Sequence, residues 1–480
     1  MKSAKYLVLS VSVIALASCA AVPVTDKNLP FSDISTSWSA SDKASADVKD
    51  GWLNDLHMTS LSDFVGEVLK NNPDLRTTAH RMEAAGYNVR VTRGNTYPSL
   101  NASLGVSRRS IQNPFIPSNN VSTGLNARWE LDVWGRLASQ TSASEANYVA
   151  AQYDLEGARL SLAAQVAQAW FDAMEAESQA ALAAKTVESY ERALRVVEKR
   201  FARGLSTGLD LRLVISNTEA ARATLSSRKN QLSQQKRRLE ILAGRYPAAT
   251  IMASGALPDI GADVPVGLPV NLLERRPDLQ AAKARLLAAG YNSQVAGKSM
   301  LPSFSITANG NNSSQGFSDI LQLDNIFWNI FGNLTQPIFQ GGKLRYAAKA
   351  SKEQFEAEKQ VFTKTLLTAF KEVEDALSSE RALREQVNFT AKASKNAVEA
   401  ERVALDQYGR GLIKISTLLT SQRQSLAQQS QLLSVKKQLI NNRIALHLAL
   451  GGDFTTEQNN KAQQTSDQNS AIESDKGTSL

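Results

Sequence analysis

The sequence predicts a membrane protein of the α+β class, built from a duplicated helix–strand–strand–helix unit. Three observations predict it. Two stretches of roughly 65 residues carry almost no helix-breaking residue. Short motifs recur along the chain at a nearly constant offset. Four runs of alternating apolar and polar residues stand at matching places in the two copies.

The chain opens with Lys2 and Lys5, an apolar run from Tyr6 to Leu16, and then Ala17-Ser18-Cys19. A basic start, a short apolar middle and small residues before a cleavage point predict a signal peptide over residues 1–18. The apolar run is too short to span a bilayer. Leu16-Ala17-Ser18-Cys19 also resembles the bacterial lipobox, in which the cysteine becomes the first mature residue and is acylated. Ala20 follows it, where an aspartate often holds lipoproteins at the inner membrane. Cys19 is the only cysteine in the chain, which excludes disulfides. Residues 19–60 read as a tether leaving that anchor, with Ser, Asp, Ala and scattered Pro between Ala20 and Asp50. The polar tail over 452–480 reads as disordered.

The net charge of +8 becomes +6 once residues 1–18, with Lys2 and Lys5 and no acid, are removed. Acidic and basic residues are mixed throughout, which suits solvated helix faces and argues against a nucleic-acid surface. Beyond the signal no apolar run reaches 18 residues, so any membrane span must be made of strands.

Two units follow, repeat 1 over 61–245 and repeat 2 over 270–451, with a Pro-, Gly- and Ala-rich connector over 246–269. Asn72-Pro73-Asp74-Leu75 matches Arg276-Pro277-Asp278-Leu279, and Ala84-Ala85-Gly86-Tyr87-Asn88 recurs as Ala288-Ala289-Gly290-Tyr291-Asn292, both at an offset of 204. Each unit begins with a helix of about thirty residues, near Leu61–Arg93 and Leu272–Ser299, with a Pro-Asp step near its start.

The alternating runs come next. Leu100, Ala102, Leu104 and Val106 alternate with polar residues, as do the apolar residues from Val121 to Val133 and from Phe304 to Ala308 and, less cleanly, from Ile326 to Leu334. Such runs suit barrel strands with lipid on one side and water on the other. Four strands cannot close a barrel and an open edge is not tolerated in lipid, so the chain must assemble. Two copies would supply eight strands and three would supply twelve.

The long helices follow. Leu137 to Arg203 is broken only by Gly157 and carries Val187, Tyr190, Leu194, Val197 and Phe201 in heptad rhythm. Leu344 to Tyr408 has no proline or glycine and carries Phe362, Leu366, Phe370, Val373 and Leu377 as one apolar stripe. At about 1.5 Å per residue each would reach on the order of 100 Å, too long for an ordinary core to cover. Glycine-marked turns end them, Phe201-Ala-Arg-Gly204-Leu205 and Tyr408-Gly-Arg-Gly411-Leu412, at an offset of 207. The return helices keep that offset. Leu211, Leu225, Leu232 and Leu239 match Leu418, Leu432, Leu439 and Leu446, with Thr218 and Ser425 at the missing heptad steps.

This arrangement resembles the TolC-like outer-membrane efflux channel family, and more closely its lipoprotein branch serving resistance-nodulation-division (RND) pumps. The duplicated units carry the resemblance, with Tyr97-Pro98, Leu301-Pro302, the segment Trp129 to Leu137, its counterpart Gln336 to Leu344, and the turns at Gly204 and Gly411. The resemblance implies a homotrimer in the outer membrane of a Gram-negative bacterium. In it a 12-stranded β-barrel continues into a 12-helix periplasmic α-barrel tunnel. It implies export of small toxic molecules or drugs, passed on by an inner-membrane RND-type pump through a periplasmic adaptor, with Gly204, Leu205, Gly411 and Leu412 at the docking tips. It places a tunnel constriction on Ser416, Thr420 and Arg423, which share one helical face. Relatives commonly carry an aspartate at the position of Thr420, so this chain departs from the family pattern there and its threonine supplies no acidic ring. Arg423 could tie neighbouring chains instead.

An enzyme is not expected. His57, His80 and His447 stand in unrelated contexts, no metal-ligand spacing is present, and Gly341-Gly342-Lys343 lacks the spacing and hydroxyl of a phosphate loop. His447 reads as a satisfied structural histidine. No cofactor is expected beyond the covalent lipid on Cys19. Two other readings are a duct for protein secretion and a pore-less coiled-coil envelope lipoprotein; the second leaves the four alternating runs unexplained.

Overall fold

The computed structural model describes residues 37–40, 50–53, 58–112, 115–253, 255–260, 264–314 and 327–454. The signal peptide, the Cys19 lipobox, most of the tether and nearly all of the tail lie outside the described residues. In chain order the elements are α1 (Thr59–Asn71), α2 (Pro73–Gly94), β1 (Ser99–Gln112), β2 (Phe115–Leu131), α3 (Arg136–Ala202) and α4 (Gly208–Leu242). After a 3-10 turn (Pro269–Asn271) come α5 (Leu272–Arg275), α6 (Pro277–Lys298), β3 (Ser303–Ser314), β4 (Phe327–Thr335), α7 (Lys343–Gly409) and α8 (Ile415–Ala449). The long helices α3 and α7 have 67 residues each and the return helices α4 and α8 have 35 each.

The expected thirty-residue opening helices are each two helices. They break at Asn72 (φ −63, ψ 125) and at Arg276 (φ −86, ψ 116), where the following proline excludes the helical conformation. The break is used. Asn72 Oδ1 accepts from the backbone N–H of Asp74 and Leu75, capping α2, while its Nδ2 donates to the Leu242 carbonyl at the end of α4. Arg276, its counterpart, donates to the Ala449 carbonyl at the end of α8. Both contacts follow the duplication, and both satisfy carbonyls that a helix end leaves open. Beside them Gly244 (φ +68) and Gly451 (φ +67) terminate α4 and α8. A Cβ at either would stand 2.8 Å from a backbone carbonyl oxygen, that of Asn71 or Arg275.

The described residues form two compact units. The first is drawn from Ala79–Asp154 and Asp278–Thr365 and contains an antiparallel four-stranded sheet of order β1-β2-β3-β4. Its register puts Leu100 opposite Ala127, Ala127 opposite Ala308, and Ala308 opposite Ile330. One face therefore collects Leu100, Leu104, Val106, Leu125, Trp129, Ile306, Ile330 and Leu334, all exposed in the single chain. The other face carries Ser103, Asn126, Thr307 and Asn309, interrupted by Phe327 and Phe331 in β4. A row of asparagines, Asn101, Asn126, Asn309 and Asn329, crosses all four strands on that face. Asn126 donates to Asn309, and Asn309 to Asn329 at 3.1 Å. The alternation expected to run to Val133 stops at Leu131, because Gly135 (φ +67) turns the chain into α3. Asp132 caps that helix by accepting from Leu137 and Ala138 N–H.

The second unit, whose described residues fall within 37–78, 155–277 and 366–454, is helical. Leu61, Val65 and Val68 of α1 pack against Ala167, Phe171 and Met174 of α3, with Leu239 of α4 and Ile440 and Ile444 of α8. The alanines of α3 at 163, 164, 167, 169 and 173 are buried, and their small side chains let neighbouring helices approach closely. The predicted heptad seam is buried at Leu418, Ser425, Leu439, Leu446, Thr218 and Leu239, and half-buried at Leu211, Leu225, Leu232 and Leu432. Phe201, placed in the α3 stripe by its spacing, is exposed, since α3 ends within one residue of it and leaves no partner helix to cover it.

The described part of the connector holds no helix or strand before Pro269 and is clamped by a buried acid. Glu240 accepts from the N–H of Ala249 and Thr250, both at 2.6 Å, and from the Thr250 hydroxyl at 2.9 Å. Burial pushes its pKa up, but these donors outweigh burial and hold it below the usual value. They also hold Ala249 at φ 61, a left-handed conformation that costs a residue with a Cβ.

His447 is buried, stacked on Trp52 with ring centroids 5.8 Å apart. It is not the satisfied histidine expected: its Nδ1 has no hydrogen-bond partner among the described residues. Burial pushes its pKa down to about 4, with nearby Arg443 acting the same way and Glu380 against. No helix of the described residues is long and apolar enough to cross a membrane, and no metal-holding cluster of acids, histidines or cysteines occurs among them.

Candidate functional site

The two helix–turn–helix ends of the second unit meet. At the first, α3 closes with Leu205 N–H donating to the Arg200 carbonyl (2.8 Å) and Gly204 N–H to Phe201 (2.9 Å). At the second, Leu412 N–H donates to Gln407 and Gly411 N–H to Tyr408, both at 2.9 Å. These are matching Schellman closures, and they require the left-handed residue found at Gly204 (φ +72) and Gly411 (φ +80). Leu205 and Leu412 are left exposed at 61% and 70%, one apolar residue at the apex of each turn.

Arg200 joins the two ends. Its guanidinium lies 5.2 Å from the Tyr408 ring centroid, its Nη2 donates to Leu205 O and its Nη1 to Gly409 O. Sequence patterning did not mark Arg200, since a basic residue next to Lys199 in the last turn of α3 carries no periodic signal.

The return helices start differently. Thr207 and Asp210 form a capping box on α4, and the Thr207 N–H bond with Asp210 holds that carboxyl below its usual pKa. Lys414 stands at the N-cap of α8 and offers no side-chain acceptor. The first turn of α8 also contains no acid, so the positive end of the helix dipole is uncompensated there.

Ser416, Thr420 and Arg423 are all exposed along one face of α8, while Ile415, Leu418, Leu419 and Gln422 are buried on the other. Arg423 Nη2 donates to Thr420 Oγ1 at 3.4 Å. Behind this face runs a polar chain that the spacing did not reveal. Gln422 Nε2 donates to Ser189 Oγ at 3.0 Å, and Ser189 Oγ donates to Glu401 Oε1 at 2.5 Å, linking α8, α3 and α7. Tyr190 beside it has its phenol pKa raised by burial, against the nearby Arg423 charge. The exposed face can present hydroxyls and a guanidinium to a solute.

A two-faced sheet with its apolar side exposed, joined to paired helical hairpins, is the architecture of an outer-membrane channel protein. The chain belongs to the outer membrane efflux protein family, whose sequence profile matches residues 64–245 and 268–452. It is similar to the cation efflux system protein CusC of Escherichia coli K12, 28% identical over 452 residues covering 92% of this chain and 97% of that one. The toluene efflux pump outer membrane protein TtgF of Pseudomonas putida is likewise 28% identical, over 94% of this chain and 97% of its own. The solved structure of CusC superimposes with a TM-score of 0.78 at 26% identity, covering 90% of this chain and 99% of that chain. The chain is thus a TolC-like efflux channel component of the outer membrane.

Proposed function

We propose that three copies of the chain close a twelve-stranded barrel in the outer membrane, continued by a tunnel of twelve helices. The observation that carries this is the sheet. Its order leaves β1 and β4 without a further strand beside them among the described residues, and its apolar face is exposed. Unpaired edges in lipid are too costly to persist, so further strands must come from other copies. The division into signal 1–18, tether 19–60, repeats 61–245 and 270–451, connector 246–269 and tail 452–480 belongs to this reading, as does a lipid on Cys19 holding the chain to the membrane.

The paired turns at Gly204–Leu205 and Gly411–Leu412 dock a periplasmic adaptor, which couples the tunnel to an inner-membrane RND-type pump. Exposed leucines at both apices support that role. The face of Ser416, Thr420 and Arg423 forms the constriction. The uncapped start of α8 suits the helix that moves, since no side-chain cap hydrogen bond holds its first turn. The cargo is small toxic molecules or drugs, the class of which the solutes in the names of CusC and TtgF are examples.

Single-channel conductance of the purified acylated chain in a planar bilayer, with chemically crosslinked oligomer size read in parallel, tests this. A trimer with small, rarely open conductance that rises in Arg423→Ala is expected. A monomer without conductance overturns the channel assembly, and a trimer with steady large conductance overturns the constriction alone.

A further inference from the structure

The duplication is written into the register of the sheet, and it dictates how a second copy joins. β3 repeats β1 at an offset of 204, as Ser303 repeats Ser99, and the helix after β4 repeats the helix after β2 at 207, as Leu344 repeats Leu137. Paired residue numbers of β1 and β2 total 227, as in Leu104–Thr123, and those of β3 and β4 total 638, as in Ile306–Gly332. The difference, 411, is the two offsets taken together. The two hairpins therefore share one register, and β4 repeats β2 at 207.

The junction between the copies inside the chain is β2–β3, whose pairs total 435, as in Trp129–Ile306. Resting on the trimeric-barrel reading, we propose that β4 joins β1 of a neighbouring copy by the same junction, carried forward by the duplication. Shifting β2 by 207 and β3 back by 204 makes the total 438. Phe331 then stands opposite Ser107 of the neighbouring copy, Leu334 opposite its Leu104, and Thr335 opposite its Ser103.

The register keeps each face of the sheet intact. Odd-numbered residues of β4 and of β1 both lie on the polar face, and the proposed register pairs odd with odd, so the faces continue across the junction. Exposed Leu334 meets exposed Leu104 on the apolar side. A closed barrel also requires stagger. The row from Asn101 through Asn126 reaches Asn309, whose counterpart in the first copy is Gly105, so each repeat carries the row four residues along the strands. Extending the asparagine row by joining Asn329 to Asn101 of the neighbouring copy would return each row to its own starting level. That sheet would have no stagger and could not close.

The test is a cysteine scan of the full-length chain assembled in lipid, where Cys19 is the only native cysteine and single-cysteine variants serve as controls. Phe331→Cys is combined in turn with cysteine at Ser99, Asn101, Ser103, Gly105 and Ser107, and Leu334→Cys with cysteine at Leu100, Ala102 and Leu104. Both faces are scanned because only one of the two alternating pair classes brings side chains close enough to bond readily. Disulfide-linked dimer and covalent trimer should peak several-fold at Phe331–Ser107, at Leu334–Leu104, or at both. A peak at another position in a crosslinked trimer overturns the register and leaves the barrel standing. Absence of every crosslink, with a monomer in the same lipid, overturns the barrel and the register together.

Discussion

The guanidinium of Arg200 stacks 5.2 Å from the ring centroid of Tyr408, and through this pair the ends of the two long helices α3 and α7 are held together. A cation over a tyrosine face contributes about 0.5–2 kcal/mol, and the two carbonyl bonds from the same group add to it. Arg200→Ala should therefore raise amide hydrogen exchange at Leu205 and Leu412 together. Arg200→Lys should not restore protection, since an ammonium cannot span both carbonyls from one plane. Unchanged exchange at both turns would show that Arg200 joins nothing.

The two turn glycines should differ in their tolerance of a side chain. Both are left-handed, so each loses about 1–2 kcal/mol on substitution by alanine. A Cβ at Gly204 meets open space, whereas one at Gly411 meets Arg200 Nη1 at 3.3 Å. Gly411→Ala should lower the denaturation midpoint more than Gly204→Ala. Equal midpoints would contradict the contact.

Glu380 is a buried acid between Arg443 (2.5 Å) and Arg384 (3.1 Å) and also accepts from Asn442. Removing one partner of a buried pair leaves the other charge uncompensated, at about 3–5 kcal/mol. Glu380→Gln should show a loss of that order in urea unfolding. The solvent-screened ion pair of Arg222 with Glu191 should lose far less on Arg222→Gln.

His447 makes stability depend on pH. Its folded pKa of about 4 lies below the ordinary value of 6.5, so between those values the unfolded chain binds the additional proton. The contribution is whole above pH 6.5 and is lost as pH falls toward 4. Its full size is about 3 kcal/mol at roughly 1.4 kcal/mol per pH unit. Denaturant midpoints at pH 7.5 and 4.5 should fall further apart in the native chain than in His447→Gln. An identical pH response in the two would remove His447 as the cause.

Thr420→Asp would place a carboxylate three residues from Arg423, whose guanidinium already reaches the Thr420 hydroxyl. On the constriction reading, the reversal potential in a salt gradient should move toward cation selectivity. An unmoved potential would place this face away from the ion path.

Much of the architecture was legible before any coordinates. Residue types with little to lose in a helix, extended over more than sixty positions, can form little else, and α3 and α7 match their expected spans to within a residue or two. The glycine turns were legible because the left-handed conformation strongly favours that residue. The duplication was legible because five-residue identity at one offset survives divergence elsewhere. Alternation marked the strands, although β2 stops at Leu131 ahead of the Gly135 turn, and the opening helices split at the Pro73 and Pro277 steps.

What the sequence by itself determined is therefore local and periodic: which segments are helix or strand, where they turn, and that the unit occurs twice. Tertiary structure alone decided the rest. Arg200 finding Tyr408, Gln422 finding Ser189 and Ser189 finding Glu401, and Asn72 and Arg276 closing distant helix ends all join residues far apart in sequence. No periodicity announces such pairs, because each depends on the distance and angle at which two packed elements meet. The strand register belongs there too. Alternation says which face a residue takes, but hydrogen bonding between strands decides which residue stands opposite.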